Sequence, residues 1–383
     1  MTIEYGLLST HPPTLCGLAT FNAALAAQLT IAGVSGGVVR VTAAGDDQRP
    51  TRGVVHTWSA NSAAGWRDAA DALSAFDVAI VQHEYGIYPG TDGEDVVRLL
   101  HQLTVPSIVV LHTVLAQPTA GQRSVLEQVV DAAGAVVTMT GTGRDRLLLG
   151  YGVDAAKVSV IPHGVGRHTV AAAARPRRSH LLTWGLLGPG KGVEWTLRAL
   201  ARMRHLDPAP TYTVAGQTHP KVIEREGEAY RQSLHRLGVK LGVDHMVRYE
   251  ADYQDPDTLS ALIASADVVV LPYDSREQVT SGVLIEAVAA GVPVVATAFP
   301  HAVELLTDGR GYIVAHQDPA ALAGAIRRTL AEAGPSARNV GSDRAARAST
   351  GSPLQWPAVA ERYETLARRL VTAGSTTVNA EST

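Results

Sequence analysis

Two stretches hold most of the residues that could do chemistry. The first, TWGLLGPGKGVEW, runs from an apolar strand through glycines into a segment of helical period, and Gly185 to Lys191 spells G-x-x-x-x-G-K. A phosphate-cradling NTPase loop needs Ser or Thr next, to hold Mg²⁺, and Gly192 stands there instead. No apolar strand ends in an acidic residue suited to that metal, so the NTPase reading is set aside. A lysine at a helix start opposes the helix dipole, which makes Lys191 costly unless an anion sits beside it; a solvated lysine is the plainer alternative.

The second stretch is REQVTSGVLIEAVAAGVPVVAT, residues 276–297. Ser281 reads as a helix N-cap, Gly291 as the stop and Pro293 as the opening of the next strand. The backbone N–H groups of Ser281, Gly282 and Val283 would then suit a phosphate. Glu286 lies one turn further on. It serves either the helix dipole or a pair of ribose hydroxyls, two donors for two acceptor oxygens.

These stretches sit in a chain of 383 residues, long enough for two domains. Hydrophobic residues make up 46% and charged ones 18%, which supports large cores and argues against disorder. A net charge of -3 argues against a nucleic-acid binder working through a broad basic face. The single cysteine, Cys16, excludes internal disulfides and fits a reducing cytoplasm. No run reaches membrane-span length and no secretion signal opens the chain, so the expected location is cytoplasmic, free or peripheral at the inner membrane face.

Short β-branched runs alternate with Ala/Leu-rich helical segments, the pattern of parallel α/β sheets. Strands are expected at EYGLLST, GGVVRVT, DVAIVQH, PSIVVLH, GAVVTMT and VSVIPHG, then at HLLTWGLL, TYTVAGQ, VRYEADY, DVVVLPY, VPVVATA and GYIVA. The domain division is an N-terminal Rossmann-like domain over 1–168, a linker over 169–179 and a C-terminal Rossmann-like domain over 180–352. A terminal helix over 353–373 and a flexible tail over 374–383 complete it. In such sheets ligands lie outside the carboxyl ends of the strands. Polar residues collect there: His11, Gln82 to Glu84, His112, Thr140, His163, Gln217 to His219, Asp274 to Thr280, and His301. No pair of these histidines has metal-ligand spacing, so no metal is expected.

Taken together the motifs resemble the retaining GT-B glycosyltransferases of family 4, over nearly the whole chain. STHPPTLCGLATF is similar to the family's first-strand loop, VSVIPHGV to its last N-domain strand, and GPGKG to its diphosphate loop. ADVVVLPY with SGVLIEAVAAGVPVVAT is similar to its donor motif, and WPAVAERYETL to the helix that returns to the first domain. The Q-x-T-S-G-V-L-x-E loop, with AGQTHPKVIEREGEAYRQSL and FPHAVELLTDGRGYIV, resembles a bacterial subgroup. The resemblance implies two doubly wound domains facing a central cleft, and transfer of a mannose- or glucose-type hexose with retention, without metal or cofactor. The donor would be a nucleotide diphosphate sugar as co-substrate: GDP-mannose, towards which the subgroup leans, or a UDP-hexose such as UDP-glucose.

Residue by residue, the resemblance assigns Lys191 to the leaving diphosphate, with Gly17, Gly190, Thr280, Ser281, Gly282 and Val283 around it, and Glu286 to the ribose. His112 matches the histidine near the transferred sugar. His83, Glu84 and Tyr85 fall where a sugar, glycoside or glycolipid acceptor would bind, although tyrosines in HEYGIYPG serve equally well as core residues. Two positions depart from the pattern. Leu186 replaces the arginine that normally precedes the lysine. Gln278 replaces the first glutamate of E-x7-E, so that it can hydrogen-bond a sugar hydroxyl but cannot act as a base. Two rivals share the scaffold, a nucleotide-sugar epimerase and a weakly catalytic nucleotide-sugar-binding protein. Oligomeric state is not legible.

Overall fold

A computed structural model describes the chain except residues 1, 31–34, 44–48, 50, 63, 167–177, 308–310, 338–351 and 382–383, and gives the backbone alone for 333–337 and 374–381. It forms two compact units, Met1–Gly164 with Pro353–Thr383, and Val165–Ser352. The linker expected over 169–179 lies outside the described residues up to 177.

In the first unit the chain alternates β1 (Tyr5–Ser9), α1 (Gly17–Leu29), β2 (Gly36–Thr42), β3 (Val54–Ser59), α2 (Gly65–Leu73), β4 (Val78–His83) and α3 (Asp95–Gln102). It continues with β5 (Ser107–Leu111), α4 (Ala120–Ala132), β6 (Ala135–Thr138), α5 (Gly141–Gly150) and β7 (Val158–Val160). The seven strands are parallel in the order β3-β2-β1-β4-β5-β6-β7. Six of them are the strands expected from sequence. The seventh, β3, is the edge strand VVHTWS, whose pattern of intermediate and exposed positions hides it among loop residues. Because side chains alternate, Leu7, Val38, Ile80 and Val110 line one face of the sheet, and Leu8, Val39, Val81 and Val109 the other.

In the second unit β8 (His180–Trp184), α6 (Val193–Ala201), β9 (Thr211–Ala215), α7 (Pro220–Glu226), α8 (Ala229–Leu241) and β10 (Val247–Glu250) come first. They are followed by α9 (Pro256–Ser265), β11 (Val268–Leu271), α10 (Gly282–Ala289), β12 (Val294–Thr297), α11 (Pro300–Leu305), β13 (Gly311–Val314) and α12 (Pro319–Ala337). All six strands are the expected ones, parallel in the order β10-β9-β8-β11-β12-β13. Both sheets reverse their winding direction beside their first strand, at β1/β4 and at β8/β11. That reversal opens a crevice at the carboxyl ends of those strands.

The terminal helix α13 (Trp356–Glu381) belongs to the first unit. It buries Trp356, Val359, Ala360, Tyr363 and Ala367 in the core that also holds Tyr5, Leu7 and Phe21. These residues, at i, i+3, i+4, i+7 and i+11, form one helical stripe, and each large side chain buried so stabilises by about 1.5–3 kcal/mol. The helix runs past residue 373, where a tail was expected. One glycine, Gly374, costs a helix only about 1 kcal/mol and does not by itself end it.

Candidate functional site

The site of the second unit is built at the β8/β11 switch. The loop leaving β8 carries glycines at positive φ: Gly185 at 114°, Gly190 at 90° and Gly192 at 68°. Gly192 is required twice over, since its left-handed φ begins α6 and a Cβ there would lie 1.8 Å from the Pro272 carbonyl oxygen. Gly190 has no atom within 4 Å of a would-be Cβ, so its surroundings are open on that side. The Asp274 N–H donates to the Gly190 carbonyl at 2.9 Å, and the Asp274 carboxylate accepts from the Trp195 indole at 3.0 Å. The glycine loop and the segment after β11 are thereby fastened to each other.

Lys191 sits at this junction, one residue before the cap of α6. Its ammonium lies 4.5 Å from the centroid of the Tyr273 ring. It pairs with no carboxylate among the described residues, and protein atoms crowding it lower its pKa through desolvation. A cation held so, on an aromatic face and without a counter-charge, is stabilised by an incoming anion. The ring beneath it is fixed: Tyr273 stacks on Phe299 at 5.1 Å, and its carbonyl accepts from Thr297 Oγ1 at 2.6 Å and from His316 Nδ1 at 2.8 Å.

Tyr273 also has Ser281 and Glu286 as electrostatic neighbours, so the glycine loop and the start of α10 meet around one ring. Ser281 is the N-cap of α10, its Oγ accepting from Leu284 N–H at 3.2 Å. Its own N–H donates to His301 Nδ1 at 2.8 Å. Of the three amides expected to face a phosphate, Ser281 is therefore engaged within the fold, whereas Gly282 and Val283 have no acceptor among the described residues. His301, conspicuous in the sequence, is a structural acceptor at this cap. Thr280 has a buried hydroxyl with no hydrogen-bond partner among the described residues.

Glu286 accepts from the Trp184 indole at 3.1 Å. Burial raises its pKa to about 7, and the Trp184 hydrogen bond works against that rise. Near neutral pH the carboxyl is thus poised between a neutral acid and a carboxylate, and two hydroxyl donors would draw it to the ionised form. Gln278 uses its amide differently from an open sugar ligand. Its Nε2 donates to the Thr280 backbone carbonyl at 3.2 Å, bracing the loop from within, while the Gln278 backbone carbonyl accepts from the His301 N–H at 3.3 Å. Glu277 stands beside it, its N–H donating to Ser275 Oγ.

The first unit places His83, Glu84, Tyr85 and His112 at the carboxyl ends of β4 and β5. The His112 Nε2 donates to Gln82 Oε1 at 2.8 Å, leaving Nδ1 as the acceptor nitrogen. Burial, with His163 and His83 nearby, holds its pKa down to about 3. His83 and His163 are likewise neutral, both lowered to about 4 by burial. Among the described residues neither ring nitrogen of His83 has a hydrogen-bond partner. Glu84 accepts from Thr113 Oγ1 at 2.6 Å and from Tyr85 N–H at 3.0 Å. The Tyr85 hydroxyl donates to the Gln122 carbonyl and the Tyr88 hydroxyl to the Gln82 carbonyl, which makes both tyrosines parts of the frame. Gly17 opens α1 after Cys16, whose Sγ accepts from Ala19 N–H at 3.4 Å, and nothing lies within 4 Å of a Cβ at Gly17.

Sequence inspection passed over Tyr273 and Trp184, the two aromatics that hold Lys191 and Glu286. Both follow directly from strand ends, in LPYD and LLTWG, and an aromatic at that position of a doubly wound sheet is the signal that would have found them. Among the described residues no group of three or more His, Cys, Asp or Glu could hold a metal ion, and no helix is long and apolar enough to cross a membrane.

Residues 178–332 match the family model for Glycosyl transferases group 1. The matched stretch lies in the second unit and takes in the glycine loop, Tyr273 and the α10 cap. The glycogen synthase of Mycobacterium tuberculosis is 30% identical over 236 residues, 60% of this chain and 53% of that protein. A D-inositol 3-phosphate glycosyltransferase of Kineococcus radiotolerans is 30% identical over 281 residues, 67% of this chain and 62% of that one. The chain spans about half the length of the curated relatives it matches. Among solved structures, Anabaena HepE in complex with UDP and glucose has a TM-score of 0.74 at 17% identity, covering 96% of this chain and 100% of that one. Sucrose-phosphate synthase of Thermosynechococcus elongatus has a TM-score of 0.74 at 20% identity, covering 97% and 100%. The shared fold is that of the GT-B glycosyltransferases, two Rossmann-like domains each built on a parallel sheet.

Proposed function

We propose that the protein is a glycosyltransferase that moves a hexosyl group from a nucleoside diphosphate sugar to an acceptor hydroxyl with retention of configuration and without a metal. The observation that carries this reading is the unpaired Lys191 ammonium on Tyr273, brought together with the free amides of α10 and with Glu286. A cation and backbone donors suit a diphosphate, and a carboxyl one turn along suits the ribose beside it. The glycosyl C1–O bond breaks as the acceptor oxygen bonds to C1 on the same face. The departing diphosphate, its growing charge stabilised by Lys191 and the Gly282 and Val283 amides, takes the acceptor proton. By the family resemblance Gly17 is assigned to the diphosphate and His112, a neutral donor and acceptor, to the transferred sugar.

Relatives named for glycogen synthesis and for inositol phosphate glycosylation, and a structural neighbour solved with UDP and glucose, support transfer of a glucose- or mannose-type hexose. The donor is UDP-glucose or GDP-mannose. His83, Glu84 and Tyr85 flank the acceptor, which is a sugar, glycoside or glycolipid. The test is a donor screen: the protein is incubated with UDP- and GDP-hexoses, with and without acceptors and with EDTA, and nucleoside diphosphate release is followed. Acceptor-dependent release that persists in EDTA, with an α-donor giving an α-product, is the expected result. Epimerisation of the donor without acceptor, or donor binding without any release, would overturn it.

A further inference from the structure

The turn between β9 and α7 lies along the glycine loop and is stitched to it through the backbone. The Leu187 N–H donates to the Gln217 carbonyl at 2.9 Å, and the His219 N–H donates to the Leu187 carbonyl at 2.8 Å. Leu187 and Thr218 pair as a parallel bridge between these hydrogen bonds. A Cβ at Gly188 would lie 3.0 Å from Val222 Cγ2, so the first turn of α7 packs on the loop. The loop then turns back, the Lys191 N–H donating to the Gly188 carbonyl at 3.1 Å. His219 and Lys191 thereby belong to one small structure.

His219 is the N-cap of α7, its Nδ1 accepting from the Lys221 N–H at 3.1 Å. That bond fixes the tautomer, since an accepting Nδ1 leaves the proton on Nε2. Nε2 has no hydrogen-bond partner among the described residues, and the side chain is partly exposed. Capping does not call for an imidazole: Ser, Thr, Asp and Asn are the preferred caps and do the same with shorter side chains. What histidine adds is the second nitrogen. Burial lowers its pKa most, and the charges of Lys221, Lys191 and Arg225 lower it further against the opposing Glu224, so the ring is neutral at neutral pH. A neutral N–H in surroundings of that sign favours an anionic acceptor over an uncharged one.

The geometry points to His219 as a further nucleotide-binding residue, its Nε2–H donating to a phosphate oxygen of the nucleoside diphosphate held by Lys191. The role rests on the glycosyltransferase reading, which puts that diphosphate at the glycine loop. The cap bond and the backbone stitch to Leu187 hold the ring in place before the ligand arrives, so little freedom is lost on binding.

The experiment uses the full-length protein, with calorimetry of UDP and GDP and thermal melts without ligand. His219→Ala removes both the cap and the donor, so it should melt lower and bind the nucleotide about fivefold more weakly. Two further variants separate the roles. His219→Asn keeps a competent cap but cannot reach as far as Nε2, so the melting temperature returns while affinity stays as low as in the alanine variant. His219→Gln can bring an amide N–H to where Nε2 stood, so affinity returns to within about twofold of the parent while the melting temperature stays low. An asparagine variant that recovers both properties would reduce the histidine to a cap and overturn the role, as would an alanine variant that binds like the parent. Lys191→Ala tells this inference apart from the reading it rests on. Nucleotide binding that Lys191→Ala removes and His219→Ala leaves intact would overturn the His219 role alone. A parent protein that binds neither UDP nor GDP would overturn the donor reading and this role with it.

Discussion

The carboxyl ends of the two sheets are furnished differently. In the second unit the groups offered to a ligand are backbone amides on a glycine-bearing loop and a helix start, supplemented by side chains that include one lysine and one carboxyl. In the first unit the polar groups at those ends are side chains, among them the neutral histidines His83 and His112 and Gln82. Backbone donors cannot be exchanged by mutation, which suits a part of the ligand that does not vary, such as a diphosphate. Side chains on a fixed sheet edge can be exchanged one at a time, which suits the part that does. The same sheet topology thus carries fixed backbone donors in one unit and exchangeable side chains in the other.

The largest effect should come from the cation that stands beside the fixed backbone donors. Lys191→Ala removes the cation on Tyr273, and charge-assisted contacts of this kind are worth about 1.5–3 kcal/mol, so turnover should fall on the order of 100-fold. Steady-state rates with saturating acceptor give the answer. A loss under threefold would mean that the amides alone hold the leaving group, and would make the contrast between the units sharper still.

Glu286 comes next, with a pH signature. Its pKa of about 7 in the fold exceeds its ordinary value of 4.5, so the folded state binds the extra proton between those values. Stability associated with it is therefore present below about pH 4.5 and lost as pH rises through about 7. Donor affinity should move the other way, rising through about pH 7 as the carboxylate forms to accept from ribose. Glu286→Gln should weaken donor binding about tenfold above that pH, flatten its pH dependence, and melt higher than the parent in alkaline buffer. Donor titrations and thermal melts across pH check the pair of signs, and parallel trends in both would refute the ribose role.

These two residues also show what the sequence made legible and what it did not. The strands of the second unit, the α10 cap at Ser281 and the Gly291 stop were readable, because glycine, serine and proline act locally and their chemistry is written at their own positions. The partners of Lys191 and Glu286 were not, because Tyr273 and Trp184 reach them across 82 and 102 residues of chain, juxtapositions that only the sheet creates. The amide of Ser281 was read as free, and His301 takes it from a neighbouring helix start. In the first unit the edge strand β3 was missed and Arg40 went unremarked within GGVVRVT, since a charged residue in a strand looks solvent-facing until both faces prove covered.

Gln278 offers a test in which restoring the glutamate expected at that position should do harm. Its Nε2 donates to the Thr280 carbonyl, a role a carboxylate cannot fill, and a carboxylate would instead oppose that oxygen. Gln278→Glu should therefore lower turnover about fivefold through a loosened loop, with Gln278→Ala close behind. An increase in rate for the glutamate variant would return this position to the sugar and remove it from the scaffold.

The smallest expected change is at Gly17, and it separates fold from ligand most cleanly. The glycine opens α1 at a negative φ with nothing within 4 Å of an added Cβ, so neither backbone strain nor packing demands it. Alanine there should leave the melting temperature level or raise it slightly, since alanine exceeds glycine in helix propensity by about 1 kcal/mol, less at a helix end. If the donor diphosphate approaches the start of α1, the methyl group meets it only when ligand is present. The donor KM should then rise two- to threefold with no loss of stability, an outcome a purely structural glycine cannot produce. Unchanged kinetics would confine the diphosphate to the second unit and leave the first with the side-chain site alone.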